Sequence, residues 1–184
     1  SRMAAPALRN RITLGGSIAL FPPWSTVVGP LLAAGTKLTL AGAREGTVGL
    51  EEYLDRRELR NRTAIVDVDV ALTPGLCSSW FAFTRTRLTY PLFSVTAVGR
   101  GESGIIADLR LVVTGNAGRY SRLAELEKRL IGSPAPRELS AEELGTRIPD
   151  RQGFGGDYLT HLAAVRMRRA IAAVAADDPG EAAT

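Results

Sequence analysis

Few residues in this chain have the type and spacing to do chemistry. The most suggestive are Gly15 and Gly16, set between the apolar runs Arg11-Ile-Thr-Leu and Ser17-Ile-Ala-Leu-Phe. Paired glycines lack a Cβ, so the turn they make can adopt positive φ and bring backbone N–H groups close to a ligand, typically a phosphate. The same pair also serves as a plain tight turn. Asp67 and Asp69 stand at i and i+2 of a strand-like run. They could hold a divalent ion or form an acid/base pair, but with no third ligand near in sequence a polar sheet face is the simpler reading. His161 is the only histidine and falls in a helix-like stretch, and no G-x-S-x-G elbow marks a nucleophile for it to serve. Cys77 follows Pro74-Gly-Leu with no base beside it and reads as a packed or loop thiol. Trp24, Trp80, Phe81 and Phe83 suit a core or an interface, although Trp24, beside two prolines, could line a pocket mouth. No catalytic triad and no metal site are visible.

The elements that would position these residues follow from composition and pattern. With 184 residues, 45% hydrophobic and 23% charged, the chain has the make-up of a soluble globular domain, or two small ones, with a real core. The net charge of +4 is spread among acids along the whole chain. The densest basic cluster, Arg56, Arg57, Arg60 and Arg62, is flanked by Asp55 and Glu58 and interleaved with no aromatics, which argues against nucleic acid. A single cysteine rules out an internal disulfide and fits a reducing compartment, so the expected location is cytoplasmic. No apolar run approaches the roughly 20 residues that span a bilayer. Ser1-Arg2 ahead of Met3 could be a scar before a native initiator, or the chain could be a fragment of a longer one.

In order, Ile18 to Phe21 reads as a short apolar run stopped by Pro22-Pro23. Ser25 or Thr26 can cap a helix through Ala34 that Gly35 terminates. Lys37 to Leu40 and Thr47 to Leu50 form a hairpin signal, Leu50 to Leu54 one helical turn, and Asp55 to Arg62 an exposed loop between lobes. Val66, Val68, Val70 and Leu72 recur at period two and predict a half-buried strand. Ser79 to Leu88, Phe93 to Arg100 and Ile105 to Thr114 complete four strands on short connections, an antiparallel meander. Helices are expected over Ser121 to Ile131, after the capping box Ser140-Ala-Glu-Glu, and over Tyr158 to Ala176. The sum is an α+β fold with helices on one face of an antiparallel sheet.

The order of these motifs carries a resemblance. Thr13-Leu-Gly-Gly-Ser-Ile-Ala, a proline, Leu31-Leu-Ala-Ala-Gly-Thr-Lys-Leu-Thr-Leu, then Gly115-Asn-Ala with Arg119, Glu125, Leu130 and Gly132, and finally Asp157-Tyr-Leu-Thr-His-Leu-Ala, resemble the flavoprotein (medium) subunit of molybdenum hydroxylases, the xanthine dehydrogenase and aerobic carbon monoxide dehydrogenase family. The resemblance implies the second lobe of an FAD-binding module over residues 1–62, an α+β C-terminal domain over 63–176 and a tail over 177–184, with the family's first lobe absent. It implies FAD as cofactor, held by Thr13, Gly15, Gly16, Ser17 and Thr26, with Ser17 at the family's asparagine and Thr26 at its aspartate. It further implies electron transfer beside molybdenum-containing and iron–sulfur subunits, or a homo-oligomer that completes the site. The alternatives are a flavin-free descendant that binds or cyclises an apolar small molecule, with Trp24, Trp80 and Phe83 as walls and Arg85 and Arg87 as anchors, or a structural assembly subunit.

Overall fold

A computed structural model describes residues 11–71, 73–86 and 89–176. Its first element corrects the reading of the glycine pair. Leu14–Leu20 is a helix, α1, and Gly15 and Gly16 lie in its first turn. Thr13 stands at its N-cap in extended conformation, where its side-chain hydroxyl accepts the Gly16 N–H at 3.0 Å. Glycine's poor helix propensity made this run look like a turn, but a capped first turn tolerates it. Phe21 closes the helix at φ 33°, and Pro22-Pro23 prevents its continuation.

Helix α2, Val28–Ala33, begins where expected, with the Ser25 hydroxyl accepting the Val28 N–H at 3.3 Å. Gly35, at φ 67°, turns the chain into β1, Lys37–Gly42, which pairs with β2, Gly46–Gly49, to give the expected hairpin. Helix α3, Leu50–Asp55, follows. The segment expected as an exposed loop is instead largely a second short helix, α4, Arg57–Arg62, which Leu59 anchors in the core. Strand β3, Thr63–Asp69, runs antiparallel to β1 and completes a three-stranded sheet in the order β2-β1-β3. It was expected to open the second half, so this pairing extends the first sheet beyond Arg62. The register slips between Thr39 and Leu40, so Leu40 faces Ile65 while Thr39 faces Asp67. Val66 is the residue left over; it is 66% exposed, which breaks the expected apolar period.

Strands β4, Cys77–Phe83, β5, Phe93–Glu102, β6, Ile105–Thr114, and β7, Tyr120–Arg122, form the expected meander in that order, with β7 added. Phe93, Val95, Ala97, Leu109, Leu111 and Val113 face a core shared with helices α5, Ala124–Leu130, and α6, Gly156–Ala175. Val98 and Val112 point the other way, into the core of the first sheet. Helix α2 approaches that outer face through Gly29, where a Cβ would lie 3.1 Å from the Thr114 methyl and 3.2 Å from the Thr96 hydroxyl. Strand β5 is therefore covered on both faces.

The capping box at Ser140 forms, with the Glu143 carboxylate accepting the Ser140 N–H at 2.9 Å and the Ser140 hydroxyl accepting the Glu143 N–H at 3.1 Å. It closes a single turn rather than the expected helix. The backbone hydrogen bond from Ser140, with Arg129 beside it, holds the Glu143 carboxyl below its ordinary pKa. A depressed folded-state pKa stabilises the fold above the unfolded value and loses that contribution as pH falls through the folded one. Glu143→Gln is therefore expected to lower the melting temperature slightly at neutral pH and to match the parent protein in acid. A difference that persists unchanged in acid would dismiss this charge as its source.

Candidate functional site

Helix α1 concentrates the residues expected to bind a cofactor. The first N–H groups of a helix have no partner within it. Thr13 satisfies one of them, that of Gly16, through its hydroxyl, and its carbonyl accepts the Ser17 N–H at 3.0 Å as the first bond of the helix itself. The Ser17 hydroxyl donates to the same carbonyl at 2.9 Å, which fixes the first turn from both sides. Among the described residues the N–H groups of Leu14 and Gly15 have no partner. A Cβ built at Gly15 meets nothing within 4 Å, so the backbone there is open to close approach. At Gly16 a Cβ would lie 2.8 Å from the Thr13 hydroxyl, so that glycine preserves the cap. Thr13, Gly15, Gly16 and Ser17 thus share one turn. Thr26 sits apart from it, half-buried in the bend that leads into α2.

The alternative pocket residues do not converge. Trp80 and Phe83 are three apart on β4, so they leave opposite faces of the strand. Phe83 turns into the second core, 5.6 Å from the ring of Phe93 and 5.4 Å from that of Phe154. Trp80 lines a cleft between α2, the chain before β4, and the outer face of β4 and β5. Trp24 lies in a different, smaller cleft, with its ring 5.3 Å from Tyr90. Arg85 is exposed in the bend after β4, and Arg87 lies outside the described residues. His161 is exposed on α6, and Cys77 is packed at the margin of the second core. Among the described residues no three histidine, cysteine, aspartate or glutamate side chains gather as a metal site, and no helix is long and apolar enough to cross a membrane.

Sequence reasoning overlooked the polar contacts that tie β7 to the first lobe. The Glu127 side chain, 5% exposed, accepts the Leu111 N–H at 2.8 Å and pairs with Arg122 at 3.0 Å. Those contacts with Glu127, the side-chain hydrogen bond first, raise the Arg122 pKa. Arg122 also reaches Glu51 of α3 at 3.3 Å. Tyr120 donates to Asp55 at 2.6 Å, and its pKa is raised, first by burial and then by that bond. Arg119 donates to the Phe21 carbonyl at 3.3 Å, at the end of α1. An acid following an arginine by five residues, astride a strand end and a helix, was the only signal in the sequence for this cluster.

The fold is shared with solved proteins, and part of the sequence matches a known family. Residues 1–70 match the family described as the FAD binding domain in molybdopterin dehydrogenase. Among solved structures, the chain is similar to carbon monoxide dehydrogenase from Hydrogenophaga pseudoflava, lacking the Mo-pyranopterin moiety, with TM-score 0.82 and 21% identity, covering 97% of this chain and 66% of that one. Quinoline 2-oxidoreductase from Pseudomonas putida 86 gives TM-score 0.78 at 18% identity, covering 97% and 66%. Reconstituted CO dehydrogenase from Oligotropha carboxidovorans gives 0.78 at 19% identity, covering 95% and 65%. No curated protein matches the sequence. The chain shares the fold of these solved chains over nearly its whole length and spans just under two thirds of each of them.

Proposed function

We propose that this chain is the flavin-holding part of an electron-transfer unit of the molybdenum hydroxylase type. The observation that carries this reading is the first turn of α1, within the segment matched by the FAD-binding family: open backbone at Gly15 and two N–H groups without a partner among the described residues, in a turn capped by Thr13. These groups suit an anionic ligand such as a pyrophosphate. Thr13 and Ser17 would fix the turn, Gly15 would let the phosphates approach, Gly16 would preserve the cap, and Thr26 would offer a neutral hydroxyl further along. When bound, FAD supplies the redox chemistry; the protein supplies position and electrostatics. Iron–sulfur and molybdenum-containing subunits would be the electron-donating partners, in the cytoplasm, with the remaining contacts to the dinucleotide coming from another polypeptide segment or a second copy. We place the division between the lobes after β3, which the first sheet claims by its pairing with β1.

Titration of purified protein with FAD tests this. Saturable quenching of flavin fluorescence and a shifted visible spectrum are expected, weaker than for a site with a full complement of donors. Protein that leaves the flavin signal unchanged at every concentration, alone and with the candidate partner subunits, would overturn the assignment.

A further inference from the structure

The cleft beside Trp24 encloses about 350 Å³, at the lower end of the range for small-molecule sites. None of its lining residues belongs to the turn from Thr13 to Ser17; Pro23 and Trp24 come after the C-terminal end of α1. Trp24 and Tyr90 are 44% and 58% exposed, so beyond their contact with each other both rings keep surface for a flat ligand. Pro23 and Pro91 flank them. The cleft also carries a charge, that of the half-buried Arg151. Its Nη1 donates to the Leu92 carbonyl at 3.2 Å, and no carboxylate pairs with it among the described residues. The adjacent acid, Asp150, is engaged elsewhere, accepting the Gly156 N–H at 2.6 Å. The backbone under Arg151 is fastened too: Arg151 and Phe154 exchange hydrogen bonds of 3.0 and 2.9 Å around a two-residue turn, and Phe154 packs against Phe83 and Tyr158. Gln152, at φ 51°, stands in that turn where glycine or asparagine is usual, and it lines the cleft. An arginine held at one edge, with no counter-ion and beside open aromatic rings, has its remaining N–H groups available to an anion.

We propose that this cleft binds a flat aromatic acid, a one- or two-ring compound carrying a carboxylate. The ring lies against Trp24 and Tyr90, and the carboxylate accepts hydrogen bonds from the Arg151 N–H groups that Leu92 does not use, with Gln152, exposed at the rim, as a further donor. One arginine answers one negative charge. No second cationic residue lines the cleft, so a phosphate dianion or a pyrophosphate would be left partly unneutralised, while an uncharged ring would leave the guanidinium without a partner. The inference concerns binding and stands apart from the flavin reading, since every group it uses lies outside the N-terminal turn of α1.

The test uses flavin-free protein carrying Trp80→Phe, which leaves Trp24 as the only indole reporter. The probe is 4-nitrobenzoate, whose ring quenches indole fluorescence, and the control is 4-nitrobenzamide, of nearly the same shape without the charge. Saturable quenching by the acid is expected, with the amide bound more weakly. Arg151→Gln should weaken the acid by roughly ten- to a hundredfold and leave the amide unchanged, whereas Arg151→Lys, which keeps the charge, should recover part of the affinity for the acid. Absence of saturable quenching by the acid, equal affinities for acid and amide, or equal effects of Arg151→Gln on both probes would overturn the proposal. So would competitive displacement of the acid by FAD, which would make the cleft part of the flavin site. If FAD fails to bind at all while the results with the acid hold, the flavin reading falls and this one stands.

Discussion

Gly15→Val is expected to reduce FAD affinity by about ten- to a hundredfold, or beyond detection, while leaving the fold intact. The glycine lies in the first turn of α1 with nothing within 4 Å of a built Cβ among the described residues, so a side chain there starts out into open space. It fills the space through which a phosphate must approach the N–H groups of Leu14 and Gly15. Hydrogen bonds from backbone to a charged group contribute about 1.5–3 kcal/mol each, and losing one accounts for the expected loss. Gly15→Ala should show a smaller loss, with equal or slightly higher thermal stability, because alanine favours a helix by about 1 kcal/mol over glycine. Flavin titration and thermal melting on the same samples separate the two effects. A Gly15→Val protein that melts normally and binds FAD as the parent does would remove α1 from the site.

Glu127→Ala should produce the largest loss of stability, on the order of 2–4 kcal/mol, or a fall of roughly 5–12 °C in melting temperature for a domain of this size. The carboxylate is buried and meets both the Leu111 N–H and the Arg122 guanidinium. Its removal leaves a buried donor on β6 without an acceptor and releases one side of Arg122. The arginine keeps Glu51 and is itself 35% exposed, so the loss stays below that of a fully buried ion pair. Glu127→Gln retains an acceptor for Leu111 and should recover part of the stability, which divides the hydrogen bond from the charge. Equal melting temperatures for Glu127→Ala and the parent would show that the cluster contributes nothing to holding β7 and α5 in place.

The β4–β6 meander and the last helix were legible because each rests on a single strong pattern: dense apolar and aromatic strands with short turns, and a long amphipathic run. The glycine pair was misread because propensity and capping disagree at Thr13-Leu-Gly-Gly, and a local hydroxyl contact, invisible to periodicity, decides for helix. Asp55 to Arg62 looked like a loop since its charges outnumber its one buried anchor, Leu59. Strand β3 was assigned to the wrong sheet because strand pairing is long-range; nothing within Thr63 to Asp69 names β1 as partner. At the candidate site, the types of residue were legible and their convergence was not. Trp80 and Phe83 read as one aromatic wall until the pleat of β4 separates them.

The double cover of β5 bears on how the protein can be assembled. One face of the β5–β6 pair is closed by α2, whose residues precede those strands; the other is closed by α6, which comes after them. On a ribosome the outer face can be shielded as soon as the strands emerge. The inner face, with Val95, Leu109, Leu111 and Val113, stays open until residues 156–175 have left the exit tunnel. Throughout that interval the growing chain carries an aliphatic sheet face that only α5 can begin to cover, and this face stays open to misassociation until α6 emerges.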